Sequence, residues 1–383
     1  MKNKIIKLSV ITTLVLSTLN ATSYENEHIS FNLDVGMKTQ TEPVDEKLNS
    51  SAYIKTNMEL RMKNNFVVEF SLDGMQKIGN KYNVQNEAKN NQNFLSLTEA
   101  NVKHKYRSTI ITLGRTKLYT PLLFSDVSSP IKNSFDLLSI ANNGTEDFLF
   151  YGAYVNAFNS VNDLTFKTQD DGLFVTGIKY FQNKYHNSEM WTYYQPKEFL
   201  SVYLETHLRP FKHIKVNLQG IYTYADDNGV RGSLNTSLNG NNKDVIAYGA
   251  EVIYAVSNHT DLIIALSNVE DGGMNNGPLN ISGSSSPLYT NTKTLKNNYE
   301  VVPGTFSSSL TVNYSINKEN TIGSKVAIYS NEYADTDIYV GEIYWNLENK
   351  KINIDAVAGY SKIDSNTKDK DQNYISLEFN YKF

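Results

Sequence analysis

Charged side chains recur at every second position inside segments that are otherwise apolar. Glu99, Lys103 and Lys105 share one face of an alternating stretch, and Glu69 and Arg61 occupy the polar faces of two earlier stretches. Residues spaced two apart lie on one face of a β-strand. A face that carries both signs of charge must meet water, and a ring of such charges selects the ions that pass a pore. The first chemistry that these residues suggest is therefore the passage of ions and small polar solutes.

Catalysis is the competing chemistry, and the sequence gives it little support. A hydrolase needs a nucleophile, a base and an orienting group within reach of one another. None of the six His residues stands beside an obvious Ser at the predicted outer rim. The stretch DDNG at 226–229 lacks the spaced ligands and terminal Glu of a calcium loop. We predict no enzyme activity, no cofactor and no metal site, and the net negative charge disfavours a nucleic-acid partner.

The segments that must position the charges are predicted to be β-strands. Residues 52–62, 66–72, 200–208, 310–316 and 352–360 alternate between apolar and polar side chains. Aromatic residues make up 12% of the chain, yet only 40% of its residues are hydrophobic and its mean hydropathy is −0.42. A transmembrane β-barrel combines these features, because only the lipid-facing half of each strand must be apolar. The absence of Cys excludes disulfides and thiolate metal sites.

The N-terminus has the three regions of a secretory signal peptide. Lys2, Lys4 and Lys7 precede an apolar stretch at 8–19, and small residues follow at 21 and 23. We predict a leader over residues 1–21, with cleavage after residue 21 or 23, and one barrel domain over residues 22–383. A single spanning helix is the alternative, but the apolar run is shorter than the roughly 20 residues needed. Without the leader, 33 basic residues stand against 40 acidic ones, a net charge of −7.

Short and long connections between the predicted strands largely take turns, which is the pattern of an outer-membrane barrel. The short ones fall near 63–65, 106–108, 209–212, 257–260, 317–320 and 348–351. The long ones fall at 39–50, 75–92, 118–146, 226–242 and 271–300.

The number of strands follows from parity. Seventeen segments read clearly as strands, whereas single-chain bacterial barrels have an even number. We place the missing strand at 163–168, DLTFKT, before a tight turn at 169–172. The prediction is an all-β, antiparallel barrel of 18 strands, with 16 as the second choice. A barrel of this width leaves an aqueous channel.

The connection at 118–146 is unusually apolar for a loop in water. It contains nine Leu, Phe and Ile residues, together with Asp126, Asp136 and Lys132. We predict that it folds inward, packs on the barrel wall and forms the pore constriction with these three charged residues. The alternative is an outer loop that packs against a neighbouring subunit or caps the mouth.

Three stretches carry a resemblance to a known family. ITLGRTKLYTPL at 111–122, KNSFD at 132–136 and YGAYVNAF at 151–158 resemble the OprD-type porins, most of all their members from Campylobacterota. The resemblance implies an eighteen-strand barrel that passes small solutes, and a homotrimer is the assembly of some members.

The family's basic wall facing an acidic inward loop carries over only in part. The residues that match the basic wall are Lys103, Lys105, Arg107 and Arg115. Arg115 follows the parity of two apolar residues, and the long arginine ladder of the amino-acid-specific members is missing.

The chain ends in a strict alternation, YISLEFNYKF, with Tyr381 two residues before the terminal Phe383. This ending resembles the signal read by the outer-membrane assembly machinery. We expect a porin in the lipids of the bacterial outer membrane, with its C-terminus in the periplasm. It would pass small hydrophilic solutes and ions by diffusion, with a slight preference for cations. The alternatives are a substrate-selective channel for small organic acids, amino acids or peptides, and a barrel that acts mainly as an adhesin.

Overall fold

The computed structural model describes most of the chain beyond the predicted leader. The described residues are 29–41, 48–78, 94–125, 131–158, 167–183, 185–225, 244–270, 286–293, 301–365 and 370–383. The predicted leader and its cleavage site lie outside these ranges. No helix within them has the length and hydropathy of a membrane span.

The described residues form eighteen β-strands. In chain order these are β1 Ile29–Thr41, β2 Leu48–Met62, β3 Phe66–Ile78, β4 Phe94–Tyr106, β5 Thr109–Thr116, β6 Phe135–Thr145, β7 Phe148–Phe158, β8 Lys167–Asn183, β9 His186–Gln195, β10 Phe199–Phe211, β11 Ile214–Ala225, β12 Asp244–Ala255, β13 Thr260–Val269, β14 Thr305–Asn317, β15 Asn320–Asn331, β16 Thr336–Glu348, β17 Ile352–Ser365 and β18 Lys370–Lys382.

The sheet closes on itself, so the prediction of an 18-strand antiparallel barrel is confirmed. Each strand pairs with the next one along the chain, and β1 pairs with β18 to complete the ring. In this seam Val35 lies opposite Tyr381, and the Phe383 amide donates to the Leu33 carbonyl at 2.9 Å. Because the ring is closed, every strand has a hydrogen-bonded neighbour on both sides. A β-sheet in a bilayer requires this, since lipid offers no partner for the unpaired backbone groups of an edge strand.

The two faces of the sheet differ in polarity, as the alternation predicts. Apolar side chains on the outer surface of the barrel are exposed, for example Phe31, Met37, Phe70, Leu113, Leu204, Leu266, Val326 and Leu377. The residues between them point inward, and in β1 to β5 and β14 to β18 most of them are polar or charged.

The prediction located one strand wrongly. The missing strand is β6, Phe135–Thr145, which the sequence analysis had assigned to a loop. Leu138 and Ile140 in it are exposed while Phe135 and Leu137 are buried, so its apolar residues serve both faces of one strand. No separate strand occupies 163–168 in the part of the chain that the structure describes: β8 begins at Lys167, and 163–166 lie outside the described residues. The predicted turn at 169–172 is part of β8.

The inner face is apolar over almost half of the barrel, which the alternation did not predict. From β6 to β13 the inward residues include Leu137, Val155, Leu173, Val175, Trp191, Tyr193, Tyr203, Ile221, Val245, Ala247 and Val269. They form one buried cluster with Leu118, Leu122 and Leu123 of the connection 117–134, and with Leu288 and Val301. Segments that fold into the barrel therefore cover this half of the wall. The inner face of the other half is mostly polar among the described residues.

A glycine beside an inward tyrosine fixes the seam of the barrel. An added Cβ at Gly36 would lie 2.3 Å from the Tyr53 ring and 2.5 Å from the Phe379 carbonyl oxygen. Tyr53 therefore lies across Gly36, and its hydroxyl donates to Glu378 on β18 at 2.9 Å.

We expect Gly36→Ala to destabilise the folded barrel by about 1–3 kcal/mol, because the methyl group must displace the tyrosine ring or the backbone. Urea unfolding in lipid vesicles, followed by tryptophan fluorescence, measures the change. Gly220→Ala is the matched control, since a Cβ there meets nothing within 4 Å. Equal midpoints for the two variants would contradict the packing described at Gly36.

Candidate functional site

Of the inward loop predicted at 118–146, residues 135–145 instead form β6. The connection 117–134, described over 117–125 and 131–134, folds into the barrel. It leaves the wall early because β5 has only 8 residues, and it then crosses the interior toward β9. Leu122 and Leu123 are fully buried, and the Leu122 amide donates to the Tyr193 hydroxyl at 3.1 Å. Apolar residues of the loop therefore pack against the apolar inner wall. The hydrophobic effect of this burial is the main interaction that holds the loop inside.

Internal hydrogen bonds make the described part of this loop compact. The Ser125 amide donates to the Leu118 carbonyl at 2.6 Å, and the Thr120 amide donates to the Leu123 carbonyl at 3.1 Å. The Ser125 hydroxyl donates to the Asn133 carbonyl at 2.8 Å, which joins the two arms of the loop. The loop is therefore a packed element with a defined surface.

The surface of the loop that faces the polar wall carries Lys132. Its Nζ donates to the Tyr119 hydroxyl at 3.2 Å. Across the interior, Lys55 of β2 lies over the Tyr53 ring at 4.7 Å, and the two ammonium groups are near enough to repel each other. Within the ranges that the structure describes, neither lysine forms an ion pair with a carboxylate.

A charged network at the foot of the loop joins it to β3 and β4. Lys117 Nζ lies 2.9 Å from Glu99 Oε2, and the Ser71 hydroxyl donates to the same oxygen at 2.8 Å. Next to it, Lys103 Nζ lies 2.6 Å from Glu69 Oε1. Glu99, Lys103 and Glu69 therefore face the interior, where the sequence analysis placed them.

The remaining predicted wall residues lie toward the short-turn rim. Arg61 pairs with Glu59 of its own strand at 2.5 Å and is largely exposed. Lys105 is exposed, and Arg107 lies in the two-residue turn between β4 and β5 with a φ of 53°. Asp126, the first predicted loop carboxylate, lies outside the described residues.

A second segment folds into the barrel, and the sequence analysis had assigned it to an outer loop. Residues 286–293 enter from the connection between β13 and β14 and cross the interior. The Tyr289 hydroxyl donates to Glu205 of β10 at 2.5 Å. At the other end, Lys293 Nζ lies 2.9 Å from Asp355 of β17.

Among the described residues, a polar side of the interior runs along the wall from β17 through β18 and β1 to β4, opposite the loop 117–134 and the segment 286–293. This side is called the polar passage below. Asp355 lies directly opposite Glu378 in the β17–β18 register. Glu378 in turn accepts from Tyr53 at 2.9 Å and lies 3.4 Å from Lys38 Nζ. This side is lined by Lys132 from the loop, Lys293 from the segment, and Lys55 with the Glu378 group from the wall.

A group of carboxylates lies on the inner face of β9 to β12. Glu189 and Glu205 are opposite each other in the β9–β10 register. Lys179 is 2.6 Å from Glu189, and Glu251 accepts from Asn217 at 2.7 Å. Acidic side chains outnumber basic ones here. Among the described residues no group of three His, Cys, Asp or Glu side chains is arranged to hold a metal ion.

Comparison of whole folds finds clear neighbours. No family model matches the chain, and no curated protein matches its sequence. OccK8 (OprE) of Pseudomonas aeruginosa superimposes with a TM-score of 0.73 over 93% of this chain and 98% of that one, at 13% identity. OccAB1 of Acinetobacter baumannii gives 0.74 over 93% and 96%, at 12% identity. OccK2 (OpdF) of P. aeruginosa, solved in complex with glucuronate, gives 0.72 over 93% and 96%, also at 12% identity.

The chain has the fold of the OprD-type outer-membrane porins. Identities this low establish the shared fold alone. The greater closeness to Campylobacterota members stays a prediction, since the three neighbours come from Pseudomonas and Acinetobacter.

Arg115 and Asp136 take a different position in this porin fold from the one expected. They are opposite each other in the β5–β6 register, one residue pair beyond the inward Leu137. They share the side of exposed Leu113 and Leu138, so they lie on the outer surface. Arg115 Nε and Nη2 donate to the two Asp136 oxygens at 2.7 and 2.8 Å, and Nη1 donates to the Leu97 carbonyl at 3.3 Å. This arrangement ties β4 to β6 at the point where β5 leaves the wall.

Two signals in the sequence could have located the missed features. The connection between β13 and β14 is rich in Gly, Ser and Asn, except at Pro287, Leu288 and Tyr289. Larger apolar residues at these positions indicate a segment whose side chains are buried. The apolar parity of Ile111 and Leu113 continues to Arg115, and that parity alone places the guanidinium outside.

We expect Asp136→Asn to lower the stability of the barrel by about 1–3 kcal/mol, because Arg115 loses its charged partner in a partly desolvated place. Urea unfolding in vesicles measures this, and Asp171→Asn, which removes the exposed pair with Lys197 at 3.2 Å, is the control with an expected loss below about 1 kcal/mol. Ion selectivity should stay unchanged in Asp136→Asn. A shifted reversal potential with unchanged stability would place Asp136 inside the pore.

Proposed function

We propose that the protein is an outer-membrane channel through which small hydrophilic solutes and ions diffuse. The observation that carries the proposal is the polar passage between the two inward segments and the wall of β17, β18 and β1 to β4. Barrels of sixteen to eighteen strands are too wide for their own side chains to fill. Here the inward segments fill one side and leave the charged side to water.

The location proposed is the bacterial outer membrane, with the C-terminus in the periplasm. The exposed apolar outer surface supports this location, since it suits lipid. Phe383 at the end of β18 contacts Tyr381, with ring centroids 4.7 Å apart, and both rings are accessible to the assembly machinery as a C-terminal signal. Cleavage of the leader after residue 21 or 23, and a homotrimer, remain part of the proposal.

A slight preference for cations is proposed for the open channel. The net charge of −7 for residues 22–383 supports it. So does the inner face of β8 to β12, where Glu189, Glu205 and Glu251 are accompanied by Lys179 and Lys215. A surplus of one sign along a pore raises the local concentration of the opposite ion.

Selective uptake of small organic acids is the second candidate function. Lys55 and Lys132 favour it, because both ammonium groups lack a carboxylate partner among the described residues and both face the polar passage. OccK2 was solved in complex with glucuronate, and OpdK with vanillate. In this chain a solute carboxylate could supply the missing partner for the two lysines.

Reconstitution of residues 22–383 in a planar bilayer should give stepwise increases in current at modest voltage. A water-filled passage conducts ions continuously, so the steps should persist over the usual voltage range. If protein that is shown to be folded gives no current at any voltage, the proposed channel function is wrong. An adhesin without a passage would give that result.

Glu251→Gln should reduce the cation preference measured as the reversal potential in a tenfold salt gradient. The change removes one fixed negative charge from the inner face of β12 and keeps the shape of the side chain and its acceptor oxygen for Asn217. Glu332→Gln, in the turn between β15 and β16 at the long-connection rim, is the control and should leave the reversal potential nearly unchanged. If the two variants behave alike, the acidic inner face does not set the selectivity.

A further inference from the structure

The segment 286–293 is held very differently at its two ends. Side chains of the wall fix the backbone of its first half. The Gln219 amide group donates to the Pro287 carbonyl at 3.1 Å and accepts from the Tyr289 amide at 3.2 Å. These two hydrogen bonds fix the segment in one alignment relative to Gln219.

Further hydrogen bonds fix the middle of the segment from β13 and β15. The Tyr329 hydroxyl donates to the Thr290 carbonyl at 2.8 Å, and the Ser267 and Thr290 hydroxyls are 2.5 Å apart. Lys325 Nζ donates to the Asn291 carbonyl at 2.5 Å. Leu288 and Thr290 are almost fully buried, so the segment as far as Asn291 is part of the packed interior.

Thr292 is also buried, and its hydroxyl accepts from the Tyr329 hydroxyl at 3.3 Å. The Lys293 side chain that follows it is held by an ion pair. Lys293 is the last described residue, and its Nζ lies 3.1 and 2.9 Å from the two oxygens of Asp355. The side chains of Lys293 and Asp355 are 43% and 49% exposed. The same ammonium group also lies 5.6 Å from the Tyr344 ring of β16, which offers it an alternative position farther from β17.

We propose that Lys293 and Asp355 form a latch across the polar passage, and that the channel alternates between a narrower latched state and a wider unlatched one. The proposal rests on the proposed channel function. In the latched state Lys293 spans from the fixed part of the segment to the β17 wall, beside Glu378 and the Lys55 group. In the unlatched state its side chain withdraws toward β16 and leaves the β17 wall open to passing ions.

The strength of the pair suits reversible opening. Exposed ion pairs favour the paired state by roughly fivefold or less, so both states are populated. Salt weakens such pairs, because the Debye length falls from about 10 Å at 0.1 M to about 3 Å at 1 M. The latched fraction must therefore fall as ionic strength rises.

Single-channel recordings of the full mature chain at 0.1 M and 1 M salt test the latch. We expect the wild type to show two conductance levels, after normalisation to bulk conductivity. The ratio of time spent in the lower level to time spent in the higher one should fall about threefold or more at high salt. Lys293→Gln and Asp355→Asn should each hold the channel in the higher level at both salts. The exchange K293D/D355K should restore the two levels.

Lys362→Gln is the matched control. Lys362 pairs with Asp364 at 3.7 Å with similar exposure, 46% and 54%, in the same strand, but outside the polar passage. It should leave the levels and their salt dependence as in the wild type. Refolding of each variant is checked by its heat-modifiable mobility in a denaturing gel.

The outcomes separate the two proposals. A folded wild type without any current steps overturns the channel function itself. Current steps with one level at both salts, or two levels that persist in both Lys293→Gln and Asp355→Asn, overturn the latch alone. A folded K293D/D355K channel that stays in the higher level also overturns it.

Discussion

The need to pair every backbone N–H and C=O inside the sheet governs this structure. In a bilayer no solvent can take those bonds, so the strands must form a closed ring. Closure at this width creates an interior that the inward side chains cannot fill. The remaining features described here determine which segments occupy that interior and where water can enter it.

The occupants are held by two different forces on the two sides of the barrel. On the side of β6 to β13, apolar wall residues such as Tyr193 and Val245 bury the loop 117–134 and part of the segment 286–293. That burial is non-directional and strong. On the other side the contacts are ion pairs and hydrogen bonds, as at Lys117 with Glu99. The passage therefore has an apolar, tightly packed side and a polar side lined by charged groups. Changes of charge on the polar side should alter conduction with little effect on the fold.

Much of the fold could be predicted from sequence, because a strand with one apolar and one polar face alternates with a period of two residues. The prediction failed where the sequence of a segment does not alternate in this way. Phe135 and Leu137 pack inside against the loop while Leu138 and Ile140 face outward. The sequence of β6 therefore lacks the alternation that predicts a strand. The segment 286–293 has no periodicity, and its anchors, such as Gln219 and Tyr329, come from strands far away in sequence. Tertiary hydrogen bonds of that kind leave no local pattern to find.

The candidate site was predictable in its parts and not in its assembly. Lys132 and Glu99 point inward as parity and composition indicated. The family resemblance assigns Arg115 to the basic wall, and Asp136 belongs to the predicted inward loop 118–146. The pair instead joins β5 to β6 on the outer surface, and Arg115 also donates to the Leu97 carbonyl of β4.

The distribution of the inner contacts also has a consequence for the order in which the molecule is built. The apolar interior is anchored on β6 to β13, whereas the seam between β1 and β18 lies on the opposite side. An open, curved sheet can therefore receive the loop 117–134 and the first half of the segment 286–293 before its edges meet. We expect the bonds between Leu33 and Phe383 and between Tyr53 and Glu378 to form last. In that order, the barrel closes around apolar contacts that are already buried.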